Sequence, residues 1–390
     1  MQIVKIPDYE YEERRKKAAI LITEMNLDVL VVNSTESDFA NVRYFSGFWP
    51  LFERAGVAIS ATGQATLLVG LESKIFATDM GVMDNIHVLM EYRESADPSA
   101  PQLKPSTFRD AFRSIGVTGD RIRIGVAAWI DTTMVIMDGL RETYPEAKIV
   151  RADSIMVKLR SIKSKNEIAC IKSGFSIVEY ATQEVIKMLR PGVTESQMVG
   201  VAQCAIYEKG AEYEGLPMYV LSGKSTSHAI SRPRPDRVIG NNDIVQLNIS
   251  ARVDGYSPNI AMPLCMGKLD LERRKYIDFC LAVHTWTKTQ LRPGRLASEI
   301  CNEYYQKFVD AGYADNYVYG PCHGTGMIEV EPPWMESNSS YTLEPDMCFQ
   351  IDSFISGPGF GARWELGAAI TATGVDILTK PVGKFHELGF

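Results

Sequence analysis

LRPGVTESQ, residues 189–197, returns as LRPGRLASE, residues 291–299, an offset of 291 − 189 = 102. Pro and Gly together stop helices, and the first copy closes a long helical stretch that runs from about residue 164. Each copy leads into a helix, then a loop holding a histidine (His228, His323), then a hairpin. The hairpins correspond too: Asp243-Ile-Val-Gln246-Leu247-Asn248 answers Asp346-Met-Cys-Phe-Gln350-Ile351-Asp352, with one residue inserted. Two copies make a duplicated unit, not a solenoid. A pseudo-twofold axis would pack the two sheets together, enclose a cleft, and set Asn248 and Asp352 facing each other across it.

Upstream of this unit the pattern differs. Residues 9–26 read as an amphipathic helix, LDVLVV (27–32) as a buried strand, and GVAISATGQATLLVG (56–70) as a hairpin turning at Thr62-Gly63. RIRIGVAA (121–128) is another strand and MVIMDGLRETY (134–144) another helix. Strands alternating with helices imply an α/β layer domain. It is closed at residue 153, so the expected domains are 1–153 and 154–390. The aromatic run YFSGFWPLF (44–52) is expected to line a pocket or a dimer seam.

The 390 residues carry 45% hydrophobic and 23% charged side chains, the balance of a globular protein with room for two domains. A net charge of −7 without a basic stripe argues against nucleic acid as a partner. The charged start MQIVKIPDYEYEERRKK has no apolar leader core, and no apolar run approaches the ~18 residues that cross a bilayer. Seven dispersed cysteines without a CxxC pair suggest reduced thiols. The expected location is the cytoplasm, with no membrane partner.

Three further phrases, in this order and spacing, carry a resemblance. Leu159-Arg160-Ser161-Ile162-Lys163-Ser164-Lys165-Asn166-Glu167-Ile168, HGTG at 323–326 and ARWELGAAITATG at 362–374 resemble the linker, central histidine loop and last strand of the pita-bread hydrolases. That family includes creatinase, prolidase, aminopeptidase P and the methionine aminopeptidases. The resemblance covers nearly the whole chain. It implies an α+β protein: a small creatinase/prolidase-like α/β domain, then the duplicated pita-bread domain.

Most members hold two metal ions with two Asp, one His and two Glu. Those positions fall here on Asn248, Asn259, His323, Asp352 and Glu365. Hard divalent cations need anionic oxygens, and a bridging carboxylate keeps a pair of ions together. An amide offers only a neutral carbonyl, so the expectation is no dinuclear site and no cofactor. A single metal on His323, Asp352 and Glu365 is the alternative.

Creatinase, which the resemblance implies works without metal, uses a histidine before the first hairpin as its proton donor and acceptor. The match is His228, and the expected catalytic set is His228, His323, Asp352 and Glu365. Expected substrate contacts are Asn248, Asn259, Tyr256 and Trp334, together with Phe52 and Arg54. The resemblance implies that this Phe-x-Arg reaches a partner subunit's cleft in a homodimer and grips a substrate carboxylate.

Several positions depart from the family pattern. Ala261 stands where creatinase has a glutamate, and Glu365 where it has a histidine. Trp334 lies near an expected arginine, and Val330 where the peptidases keep a histidine. The expected function is metal-independent hydrolysis of a C–N bond (amidino, carbamoyl or amide) in a small carboxylate-bearing molecule. The alternatives are a metal-dependent Xaa-Pro dipeptidase-like hydrolase with a reduced site and a non-catalytic peptide-binding protein.

Overall fold

The computed structural model describes residues 4–94, 105–380 and 385–390. The chain divides into two compact units, Ile6–Arg160 and Ser161–Phe390.

In the first unit the elements run α1 (Asp8–Glu24), β1 (Val29–Ser34), α2 (Ala40–Ser46), β2 (Ala55–Ser60), β3 (Ala65–Val69), α3 (Ser73–Met80), β4 (Ile86–Val88), α4 (Phe108–Ser114), β5 (Arg123–Ala127), α5 (Met134–Thr143), β6 (Lys148–Arg151) and α6 (Asp153–Ser161). They build a six-stranded mixed sheet in the order β4-β3-β2-β1-β5-β6. The apolar run of β1 is buried along its whole length because the strand sits inside the sheet with helices against it. Val29, Val31, Ile124 and Val126 pack against Phe108, Phe112, Tyr92 and Tyr144.

The aromatic run at 44–52 departs from expectation. Tyr44, Phe45 and Phe48 are core residues, because α2 is buried at every position. Only its end, Leu51 and Phe52, projects; Phe52 is 77% exposed and holds a positive φ of 60°.

The second unit runs α7 (Lys165–Met188), α8 (Glu195–Glu208), β7 (Tyr219–Ser222), β8 (Ile244–Ser250), β9 (Asn259–Cys265), α9 (Leu271–Gln290), α10 (Ala297–Asp310), β10 (Cys322–Gly324), β11 (Glu331–Met335), β12 (Cys348–Gly357), β13 (Phe360–Ile370), β14 (Val375–Ile377) and β15 (His386–Glu387). The sheet order β11-β10-β12-β13-β9-β8-β7 is nearly a palindrome about the β13–β9 pair. Two helices precede β7, and two precede β10. The duplication read from the repeated phrase is therefore present in the strand order.

Its local devices repeat as well. Gly192 and Gly294 take φ of +94° and +83°, which only glycine adopts without strain. Gly192 donates its N–H to Ile239 O at 2.9 Å, and Gly294 donates to Leu343 O at 2.8 Å. Buried Gln246 and Gln350, 350 − 246 = 104 apart, each reach across the axis. Gln246 Nε2 donates to Arg363 O at 3.2 Å, and Gln350 Nε2 donates to Asn259 O at 2.9 Å. These side chains bind the β9 and β13 backbones where the two halves meet. Among the described residues no helix is long and apolar enough to cross a membrane. The seven cysteines are all free.

Candidate functional site

The site grows from the central strands. In antiparallel register Asp352 stands opposite Glu365, Glu365 opposite Ala261, and Ala261 opposite Asn248. Side chains on one face of such a ladder lie within reach of one another. The small Ala261 leaves room beside Glu365. On the neighbouring strand β10, His323 pairs with Gln350. The segment between His323 and β11 brings in Glu329.

His323, Glu329 and Glu365 converge so closely that one ligand atom from each lies within 4.8 Å of the others. His323 Nε2 is 3.4 Å from Glu365 Oε1 and 3.9 Å from Glu329 Oε1. His323 Nδ1–H donates to Gly324 O at 3.0 Å. That contact fixes the tautomer and leaves Nε2 with two roles: a lone pair aimed at a cation, or a proton shared with the carboxylates. Burial alone would lower the imidazole. The charges of Glu329 and Glu365 outweigh burial and push it up to about 9. Burial, then repulsion from Glu329, raises Glu365 to about 7.

Asp352 belongs to a different group. Tyr319 OH donates to Asp352 Oδ1 at 3.0 Å, and Arg363 Nε lies 3.4 Å from the same oxygen. Burial raises this carboxyl to about 6 although Arg363 opposes the shift. The single-metal alternative named His323, Asp352 and Glu365, and the structure groups His323 and Glu365 with a different carboxylate. The third converging carboxylate is Glu329, since Asp352 is drawn toward the guanidinium.

Both amides act as hydrogen-bond donors. Asn259 Nδ2 donates to Glu365 Oε2 at 2.5 Å, and Asn248 Nδ2 donates to the Tyr219 hydroxyl at 2.6 Å. Among the described residues the carbonyl oxygens Asn248 Oδ1, Asn259 Oδ1 and Gln350 Oε1 are buried and unpartnered. Unmet acceptors at this depth are expensive, and of these three residues Asn248 lines the cavity described next, where a ligand that brings a donor would relieve it.

A cavity of about 310 Å³ opens onto these groups. Its floor carries His323, Glu329, Asp352 and Glu365, and its wall Tyr219, Asn248, Tyr319 and Arg363. At its mouth Ile230, Val330 and Trp334 are exposed apolar side chains. The Trp334 ring centroid lies 6.0 Å from that of His323. A volume of this size suits a small molecule of roughly dipeptide dimensions.

Four expected site residues, His228, Tyr256, Phe52 and Arg54, are not among those that line the cavity. His228 is exposed and faces Ser231 Oγ at 3.3 Å; it does not line the cavity. The backbone just after it turns in instead, and Ala229 O accepts from Arg363 Nη2 at 2.6 Å. Tyr256 is fully buried and donates to Glu167 Oε1 at 2.7 Å, a bond that ties the β8–β9 turn to α7. It is not among the residues that line the cavity. Phe52 and Arg54 lie in the first unit, where Arg54 Nε is buried without a hydrogen-bond partner among the described residues.

Glu329, Tyr219, Tyr319 and Arg363 were not anticipated from sequence. Arg363 was within reach of it: counting 104 residues on from Asn259 gives 363, the matching position of the second repeat. Glu329 lies in MIEVEPP, beside the Val330 position that drew attention for its missing histidine.

One ion fits this site and two do not. Ligand bonds of about 2.1 Å put neighbouring donor atoms roughly 3–3.5 Å apart, close to the separations around His323 Nε2. A second ion would meet two neutral amides and, beside Asp352, the fixed charge of Arg363. Among the described residues there is no other such group of three.

Residues 169–372 match the model of the metallopeptidase family M24, and residues 14–162 match the creatinase/prolidase N-terminal domain. The uncharacterized peptidase YqhT of Bacillus subtilis is 24% identical over 371 residues, 93% of this chain and 97% of that protein. A Xaa-Pro dipeptidase of Pyrococcus furiosus is 22% identical over 373 residues, 95% and 98% of the two chains. The X-Pro aminopeptidase structure from Thermotoga maritima superposes with a TM-score of 0.82 at 18% identity, covering 95% of this chain and 99% of that one. At that identity the superposition speaks for the fold alone.

Proposed function

Because the chain belongs to the metallopeptidase family M24, a family of hydrolases, we propose that it hydrolyses the amide C–N bond of a short, peptide-like molecule at a centre reduced to one divalent ion. The convergence of His323, Glu329 and Glu365 carries this reading. Those three residues would hold the ion. When bound, it supplies Lewis acidity that makes hydroxide accessible near neutral pH. The relatives named as Xaa-Pro dipeptidases support a dipeptide-sized substrate, and the cavity volume agrees.

The chain's own groups handle the protons. Asp352, anchored by Tyr319 and Arg363, takes the proton that water sheds as its oxygen bonds to the carbonyl carbon. The proton then passes to the nitrogen as the C–N bond breaks, and the products are a carboxylate and an amine. The apolar mouth formed by Ile230, Val330 and Trp334 receives the substrate's side group. This reading moves the proton work from His228 to groups that line the cavity.

A second reading, metal-independent hydrolysis, is favoured by the two amides and by His323. With Nδ1–H committed to Gly324, a protonated Nε2 between two carboxylates would be an imidazolium able to protonate a poor nitrogen leaving group. Elemental analysis of protein purified without added metal, with turnover of a dipeptide panel before and after chelation, separates the two. One equivalent of metal and chelator-sensitive turnover supports the first reading. Chelator-resistant turnover supports the second. Two bound equivalents required for activity would sink both, and a chain that binds the panel without turnover would be a peptide-binding protein.

A further inference from the structure

Tyr219 was singled out neither by its sequence position nor by the converging carboxylates. It begins β7, stands directly opposite Asn248, and presents its phenol to the cavity wall while the residue is only 4% exposed. Its oxygen accepts two hydrogen bonds, from Asn248 Nδ2 at 2.6 Å and from Arg363 Nη1 at 2.6 Å. Both contacts use the oxygen as acceptor. A phenol has one further hydrogen to give, and among the described residues no acceptor takes it. The cavity's other tyrosine, Tyr319, commits its own hydrogen to Asp352.

Two donors on one phenol oxygen draw electron density from the O–H bond and make it a stronger donor. One of them is a guanidinium, so the group also lies in a positive field. Burial, with Arg363 opposing, pushes the phenol up to about 12, which keeps the hydrogen in place across neutral pH. The result is a fixed O–H, held by the fold before any substrate arrives, at the edge of a cavity whose floor carries Glu329, Asp352 and Glu365 beside His323 and whose wall also carries Arg363. Such a group repels nothing with a lone pair, whereas the floor of the cavity does.

We propose that Tyr219 donates its phenolic hydrogen to the carbonyl oxygen of the amide under attack. The proposal rests on the amide-hydrolase reading above and assigns that reaction a further catalytic residue. As the water oxygen bonds to the carbon, the carbonyl π pair moves onto the oxygen that Tyr219 holds. The pair returns when the C–N bond breaks and the nitrogen leaves with its proton. A donor placed where charge develops lowers the barrier more than it strengthens substrate binding.

The test compares Tyr219→Phe with the unaltered chain on the dipeptide that a panel shows to be cleaved best, and on its thioamide twin. Sulfur accepts hydrogen bonds poorly, so the oxygen-over-sulfur rate ratio reports this contact. The expected result is a kcat lower by about 10²-fold, KM within about threefold, and a marked fall in the oxygen-over-sulfur ratio. An unchanged ratio or an unchanged kcat overturns the proposal and leaves the amide-hydrolase reading standing. If the Phe variant does not fold, 3-fluorotyrosine at position 219 keeps both accepted bonds and sharpens the donor. The ratio should then rise above that of the unaltered chain, and no change overturns the proposal. Should the unaltered chain neither cleave the panel nor bind a phosphinate dipeptide by calorimetry, the amide-hydrolase reading falls and takes this proposal with it.

Discussion

Asn259 lies 2.5 Å from Glu365, and at that distance a neutral donor is what a buried carboxylate needs. An aspartate in its place would face Glu365 charge to charge unless a cation stood between them. Asn259→Asp is therefore expected to destabilise the metal-free chain by about 2–4 kcal/mol, through a lost donor and an added buried charge. Urea unfolding measures the loss, and repeating it with excess Mn²⁺ should recover most of it. A variant as stable as the parent without metal would show that the Asn259–Glu365 bond contributes nothing. The histidines divide in the same way. His323 is buried between two carboxylates, and His228 is exposed beside Ser231. His323→Ala should lower kcat by about 10²-fold or more, while His228→Ala stays within about threefold. Equal losses in both would return the proton work to His228.

Elements carry these residues, and their own buried charges can be probed. Lys163, just ahead of α7, places Nζ 2.8 Å from Glu331 Oε1 at the start of β11, with both side chains buried. Glu331 Oε2 also accepts from Ile328 N at 3.3 Å, so this pair pins the segment that delivers Glu329. Lys163→Met takes the Nζ cation away from a buried carboxylate and should cost about 3–5 kcal/mol in urea unfolding. Adding Glu331→Leu should recover much of that; no recovery would mean that the charge pair is not the cause. On α9, His284 is fully buried and its Nδ1 has no partner among the described residues, so burial first, and Lys288 second, hold it well below the usual histidine range. Its folded pKa is depressed, so below about 6.5 the unfolded chain binds a proton that the folded chain refuses. Its contribution to stability is present above that pH and is lost as pH falls, by at most about 1.4 kcal/mol per unit. Raised Asp352 and Glu365 act in the opposite direction, since the folded chain binds their protons first. The readout is therefore the difference between the parent and His284→Leu from pH 7 to 5. Parallel curves would show that His284 does not titrate as described.

The scale of the whole molecule is where the sequence was most legible. The LRPG turns and the Gln-x-Asn/Asp hairpins are local patterns, and local chemistry repeats legibly because each half must end its helices and start its strands alike. The near-palindromic strand order followed from them. Glu329 and Tyr219 were not legible, because strand register and one irregular segment bring them to the cavity and neither leaves a periodic mark. His228 misled for the opposite reason: its loop matched a family pattern, yet the chain turns the backbone of Ala229 inward and leaves the imidazole outside. The resemblance also assigns Phe52 and Arg54 to a partner's cavity. Phe52 is presented outward with positive φ, which suits a residue that reaches a second chain. The proposal of a homodimer with shared sites has a direct test in mixing. Chains carrying Arg54→Ala keep an intact cavity but lack the arginine, and chains carrying His323→Ala lack the cavity but keep the arginine. If each cavity is completed by its partner, random re-pairing makes half the dimers mixed, each with one working site, and restores about a quarter of parental activity. If Arg54 serves its own chain, or serves none, the mixture is no more active than the average of its two parents.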